Sequence, residues 1–167
     1  MRKKDSKMEN LLNKEPVKRV QEFIKKFDPK LEILVLDTTA RTAQDAAKSL
    51  DCEIGAIVKS LLFRTKNNFL ICLIAGDRRC SLNKLKKVLQ EKDVSMANAD
   101  EVKINTGFSI GGVSPVAHTK NLKILIDNSL NRFKFLFAAA GHPNCVFKIT
   151  YYQLIKINKG SEKEIVE

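Results

Sequence analysis

The chain has 167 residues, about the length of one domain, which is enough to bury a sizeable core without disulfides or metal clips. With 44% hydrophobic and 29% charged residues, 7 Gly and 4 Pro, it is not a disordered or fibrous chain. Thirty Lys and Arg against 19 Asp and Glu give a formal charge of +11, which favours polyanions and nucleic acid first, though a solvated basic surface has the same composition.

The basic start Met1 to Lys7 leads into Glu9, Asn10 and Asn13 rather than an apolar run, so residues 1–14 read as a polar leader, possible to leave flexible, and not as a signal peptide. Glu15 and Pro16 open a helix in which Val17, Val20, Ile24 and Phe27 recur at helical spacing, with Lys18, Arg19, Lys25 and Lys26 projecting elsewhere; Asp28-Pro29 stops it. Leu31–Leu36 has strand character, and Thr42 caps a helix whose apolar stripe is Ala43, Ala46, Ala47 and Leu50. The apolar runs Ile57–Arg64 and Phe69–Ala75, separated by Lys66, Asn67 and Asn68, predict a β-hairpin buried on both faces.

Ser81 caps a helix to about Leu89, with Leu82, Leu85 and Leu89 inward and Lys84, Lys86 and Lys87 on the polar side. A short helix is expected over Asn98–Ile104, then a loop with Gly107, Gly111, Gly112 and Pro115. Strands at Leu122–Ile126 and Phe133–Phe137 lead to a turn at Gly141–Asn144 and a strand at Val146–Ile149. Thr150 caps a last helix containing Tyr151, Leu154 and Ile155, so residues 15–157 form one domain and 158–167 a charged tail.

Several chemistries are absent. Cys52, Cys72, Cys80 and Cys145 include no C-x-x-C pair and, with only His118 and His142 beside them, form no zinc framework; they read as mostly buried thiols of a reducing cytoplasm. There is no G-x-S-x-G elbow, H-E-x-x-H motif or P-loop, and no apolar run of the roughly 20 residues that a membrane span needs.

Lys59 interrupts the apolar run Ile54–Phe63, where a charged amine needs a partner: a substrate phosphate or developing oxyanion in a pocket, or water reached by snorkelling from an edge strand. In Thr106–His118, paired glycines let backbone N–H groups approach a ligand, unless the segment is an ordinary wide turn. Removing one well-placed oxyanion donor costs about 100- to 1000-fold in rate, so such a loop can carry much of a reaction. The tiny residues of Ala138–Asn144 leave room for a nucleotide or aminoacyl group, with His142 either a proton shuttle or a turn cap. Asp127, beside Asn128 and Ser129, binds a substrate amine or caps a turn, and the Asp-x-Ser pattern favours the cap.

Taken in order, Thr42–Ala47, Ile57–Phe63, Ala75-Gly-Asp-Arg-Arg79, Thr106–Pro115 and Ala140-Gly-His-Pro-Asn144 resemble the YbaK-like aminoacyl-tRNA editing family, which includes domains associated with prolyl-tRNA synthetase. The likeness covers about residues 31–157. It implies a single α/β domain with a mixed, twisted central sheet flanked by helices. It further implies a metal-independent hydrolase without cofactor, acting in trans on mischarged tRNA, tRNA-Pro being the first candidate.

By the same resemblance Lys59 is the functional lysine, and Gly111 and Gly112 position the ester while backbone groups and the ribose hydroxyl of the tRNA help activate water. Ser60, Ile110, Ser114, Pro115, Gly141 and His142 are the expected substrate contacts, and Lys84, Lys86 and Lys87 the expected tRNA contacts. A synthetase is a possible partner and a membrane is not. The physical need for editing is that a synthetase pocket rejects a side chain smaller by one methylene by only about 1–3 kcal/mol. The competing readings are a catalytically silent module that recruits tRNA or a synthetase, and a general basic nucleic-acid binder whose affinity falls steeply with salt.

Overall fold

The computed structural model describes residues 2–38 and 40–167, so Met1 of the leader lies outside it. The expected leader carries a helix, α1 (Arg2–Leu12), whose Leu11 is buried in the main core. Helix α2 (Glu15–Phe27) starts at Glu15-Pro16 and buries Val17, Val20 and Ile24, as their spacing requires. Phe27, expected on the same stripe, stays exposed in the last turn.

A mixed eight-stranded sheet runs in the order β1-β7-β6-β2-β3-β5-β8, with β4 paired to β2 off this path. Its strands are β1 (Ile33–Val35), β2 (Ile57–Arg64), β3 (Phe69–Ala75), β4 (Ser95–Met96), β5 (Lys123–Asp127), β6 (Leu136–His142), β7 (Cys145–Ile149) and β8 (Ser161–Lys163). The expected hairpin is β2–β3, antiparallel from Val58 opposite Ala75 to Arg64 opposite Phe69. β2 also lies parallel to β6, and β3 parallel to β5, which makes the sheet mixed.

Side chains alternate between faces along a strand. Val58 and Leu62 join Ile71, Leu73 and Ala75 in the main core, which also holds the buried face of α2. On the other face, Phe63, Leu70, Cys72 and Ile74 pack on Leu85, and Ile57 packs on Ala46 and Ala47. Ala46 and Ala47 belong to α3 (Ala43–Leu50), where Thr42 accepts the Asp45 N–H as cap; Leu85 belongs to α4 (Leu82–Leu89), where Ser81 does the same for Lys84. The packed stripe of α4 runs through Leu85, Val88 and Leu89, so Leu82, expected inward, is exposed. Both α5 (Ala99–Thr106) and α6 (Tyr151–Asn158) begin with a reciprocal capping box, Asn98 with Glu101 and Thr150 with Gln153.

Two further expectations change. The strand read at Phe133–Phe137 lies at Leu136–His142: Asp127 caps a 3-10 turn over Asn128–Arg132, and bends at residues 133–135 carry the chain on to the strand. The small residues Ala138–Gly141 are therefore strand, and the turn shrinks to Pro143-Asn144 between paired His142 and Cys145. The charged tail is likewise part of the fold. β8 pairs with β5, Ile165 and Val166 are buried in the second core cluster, and the Ile165 N–H donates to the buried carboxylate of Asp127.

Candidate active site

A cavity of about 410 Å³ opens beside β2. On the edge away from β3, β2 pairs with β6 only at Ile57 and Val58 and with β4 only at Phe63 and Arg64. The intervening Lys59, Ser60 and Leu61 line the cavity, together with Arg41, Thr42, Ala43 and Ala46 at the α3 end, Met96 and Ala97 at β4, and Val102 of α5. The loop after α5 contributes Ile110, Gly111 and Val113, and Phe137, Ala139 and Val146 complete the wall. Small aliphatic side chains dominate, so the space suits a small apolar group with few polar contacts.

The Lys59 Nζ donates to the carbonyl of Arg78, in the turn that follows β3. Burial lowers the Lys59 pKa from the ordinary lysine value; Asp77 opposes this, Arg79 adds to it and Cys80 opposes it. The amine therefore has a peptide partner, and Lys59 as a residue lines the cavity. Asp77 is held in turn by a bidentate pair with Arg132, at 2.9 and 2.7 Å, and the Arg132 guanidinium lowers the Asp77 pKa.

Of the glycine loop, Ile110, Gly111 and Val113 reach the cavity. Gly111 has φ +94°, a conformation that disfavours side chains. Gly112 lies behind it, where a Cβ would come within 2.9 Å of the Gly141 backbone; its carbonyl accepts the Gly141 N–H at 3.0 Å, fixing the loop to β6. Ser114 and Pro115 are buried away from the cavity: the Ser114 hydroxyl accepts the Val116 N–H, and its carbonyl accepts from His118 Nε2. Gly141 lies against the backbone of Pro16 at the start of α2.

His142 does not line the cavity. Its Nδ1 accepts the Asn144 N–H at 3.0 Å, so it is the turn cap, and burial, Lys14, Arg41 and Lys7 lower its pKa in that order. Asp127 is also a cap, accepting from the N–H and hydroxyl of Ser129. Lys84, Lys86 and Lys87 lie on α4, outside the cavity lining, and Lys84 donates to Glu164 and to the Val166 carbonyl.

Two site residues escaped the sequence reading. Arg41 lies against Gly111, as does Pro143, and lines the cavity; its only sequence cue was its place beside the Thr42 cap. Arg19, read as projecting away from the apolar stripe, holds the loop: Nε donates to the Ala117 carbonyl at 2.9 Å, Nη2 to the Thr106 carbonyl at 3.5 Å, and the guanidinium covers the Phe108 ring at 4.5 Å. A lone arginine on a helix carries no sequence mark of such a clamp.

The Cys145 thiol is buried and its pKa is pushed up to about 11, which disfavours the thiolate needed for attack. Among the described residues, no three His, Cys, Asp or Glu side chains gather to hold a metal ion, and no helix is long and apolar enough to cross a membrane.

A family model described as an aminoacyl-tRNA editing domain matches residues 37–157. The chain is 28% identical over 139 residues to the uncharacterized protein YwhH of Bacillus subtilis, covering 83% of this chain and 88% of that one. It is 39% identical over 94 residues to the proline–tRNA ligase of Kosmotoga olearia, 56% of this chain and 16% of the ligase. With the ligase of Thermosipho melanesiensis the identity is 33% over 140 residues, 84% of this chain and 23% of the ligase. The chain thus spans less than a quarter of either ligase. A solved structure described as a candidate trans-editing enzyme for prolyl tRNA synthetase superposes with a TM-score of 0.87 at 30% identity, covering 92% of this chain and 98% of that one.

Proposed function

Since the chain belongs to the aminoacyl-tRNA editing domain family, we propose that it is a trans-acting deacylase that hydrolyses the ester of a small, wrongly attached amino acid on tRNA, with tRNA-Pro the first candidate. The observation that carries this reading is the cavity lined both by Lys59 and Ser60, in the stretch of β2 between its pairings with β6 and β4, and by Ile110 and Gly111 of the loop. Its aliphatic walls suit a small side chain, which is the class of error that a synthetase pocket fails to reject.

In this reading the terminal adenosine lies at the cavity mouth and the aminoacyl group points inward. Lys59 exchanges its bond to the Arg78 carbonyl for the ester carbonyl or the terminal phosphate. Gly111 brings backbone N–H groups to the ester, and Gly112 holds that loop on β6. Attack by water, aided by backbone groups and the ribose hydroxyl of the tRNA rather than by a metal, breaks the acyl–oxygen bond and releases free amino acid and tRNA. Ser60 and Ile110 contact the substrate directly, whereas Ser114, Pro115, Gly141 and His142 support the walls. The basic surface, with Lys86 and Lys87 among its exposed or half-exposed members, draws the tRNA in, and the reaction belongs to the cytoplasm.

The test is release of amino acid from tRNAs charged with alanine, serine, cysteine or proline at fixed salt, by wild type and Lys59→Ala. Cleavage of one class by wild type, with at least about a 100-fold loss in the variant, is expected for a group that stabilises the reacting carbonyl. Deacylation unchanged in Lys59→Ala removes that residue from the mechanism. Binding without cleavage of any ester replaces the enzyme with a silent tRNA-binding module.

A further inference from the structure

Ser60 lies in a cavity whose lining is mainly aliphatic, with Arg41, Thr42 and Lys59 as its other polar side chains. Its Oγ is the one buried side-chain N or O atom, among the described residues, without a hydrogen-bond partner. The backbone adds to this. Peptide groups alternate in direction along a strand, so successive residues bond to opposite neighbours. In β2 the Ile57 carbonyl accepts the Gly76 N–H on the β3 side, whereas the Leu62 carbonyl accepts the Ala97 N–H on the other edge. The even-numbered residues therefore turn their N–H and C=O away from β3. Val58 meets β6 there and Leu62 meets the β4 segment, leaving Ser60 between them with its peptide groups directed at the cavity.

Native structures rarely leave a buried hydroxyl unpaired, and an exception inside a cavity calls for a ligand group. An aminoacyl ester brings a side chain, an ester group and an α-amino group. The aliphatic walls suit the side chain, and the loop N–H groups and Lys59 suit the ester. The amine then needs acceptors, and Ser60 supplies a hydroxyl oxygen and a peptide carbonyl from one residue.

We propose that Ser60 is a specificity residue that holds the free α-amino group of the bound aminoacyl ester through its hydroxyl and main-chain carbonyl, a role that rests on the deacylase reading above. The site accordingly takes esters of amino acids with an unblocked amine and disfavours desamino or N-acylated esters, because a ligand without the amine's donors leaves these acceptors without a partner.

The experiment is a cycle between enzyme and substrate. Wild type and Ser60→Ala are each assayed for kcat/KM on tRNA carrying alanine, serine or cysteine, and on the matched desamino esters, propionyl for alanine. Comparing the two enzymes on one substrate cancels the intrinsic lability of each ester. Ser60→Ala is expected to lower kcat/KM about tenfold on the aminoacyl esters, the value of one hydrogen bond to a charged or strongly polar group, and to leave the desamino esters within about twofold.

Equal losses on both members of each pair, or no loss on either, overturn the assignment. A loss confined to serine and cysteine, with or without their amines, overturns it in favour of a contact to the substrate side chain. Wild type inert on every aminoacyl ester fails the deacylase reading itself, and the Ser60 role with it.

Discussion

His142 shows how a residue that looks chemical in the sequence is claimed by its own turn. Its Nδ1 must be unprotonated to accept the Asn144 N–H, and burial with nearby Lys14, Arg41 and Lys7 favours that neutral form. A histidine with a lowered folded pKa makes stability fall as pH drops from about 6.5 through the folded value, since the unfolded chain takes up the proton first. Wild type should therefore lose thermal stability between about pH 7.5 and 5 by more than His142→Ala does. At neutral pH the variant should be less stable by about 0.5–1.5 kcal/mol, the value of one hydrogen bond, with deacylation largely kept. Calorimetry and the release assay check the two parts; a rate loss approaching that of Lys59→Ala would restore the proton shuttle. Ser60 is the converse case, a residue that its own fold leaves unpaired.

At the scale of elements, the decisive contact is that of α2 with the glycine loop. Arg19 ties the Ala117 and Thr106 carbonyls and covers Phe108, so one guanidinium joins both ends of the segment that carries Ile110 and Gly111 to the cavity. Arg19→Met keeps much of the side-chain stem but loses these donors. It should cost about 1–3 kcal/mol, in the range of charged hydrogen bonds, and lower kcat/KM for deacylation by about tenfold or more, because a loop displaced by a fraction of an ångström no longer positions the ester. Denaturant titration and the release assay measure both. A stability loss without any loss of rate would mean that the loop does not depend on α2 for its shape.

For the whole molecule, residues 158–167 decide whether the domain is complete. β8 closes one edge of the sheet beyond β5, and Ile165 and Val166, which follow it, are buried in the second core cluster. Removing residues 161–167 exposes their apolar surroundings and takes the Ile165 N–H from the buried Asp127 carboxylate. At about 1.5–3 kcal/mol for each buried aliphatic side chain, the truncated chain should lose about 3–6 kcal/mol, a large part of a typical domain's stability. A thermal midpoint unchanged by the truncation would show that this segment contributes nothing to the fold.

Much of the architecture was determined by the sequence, because the responsible forces act over a few residues. The caps at Thr42, Ser81, Asn98 and Thr150 lie where a short polar side chain meets a helical period, and the β2–β3 hairpin follows from two apolar runs around a polar turn. The order of five motifs carried the family, and with it Lys59 and the glycine loop as candidates. Local pattern failed where a distant partner decides the outcome. Hydrophilic composition made 158–167 a tail although two of its apolar residues reach the core, and apolar residues made Phe133–Phe137 a strand although the turn capped by Asp127 ends at Arg132, bends follow it and the strand starts only at Leu136. His142 is the local case, held by the Asn144 N–H of its own turn, one of the two roles its neighbours had offered. Only the tertiary structure set Arg19 on the loop and directed Ser60 into the cavity, because both depend on which strands part along β2 and which helix crosses the loop, long-range geometry to which neighbouring residues give no clue.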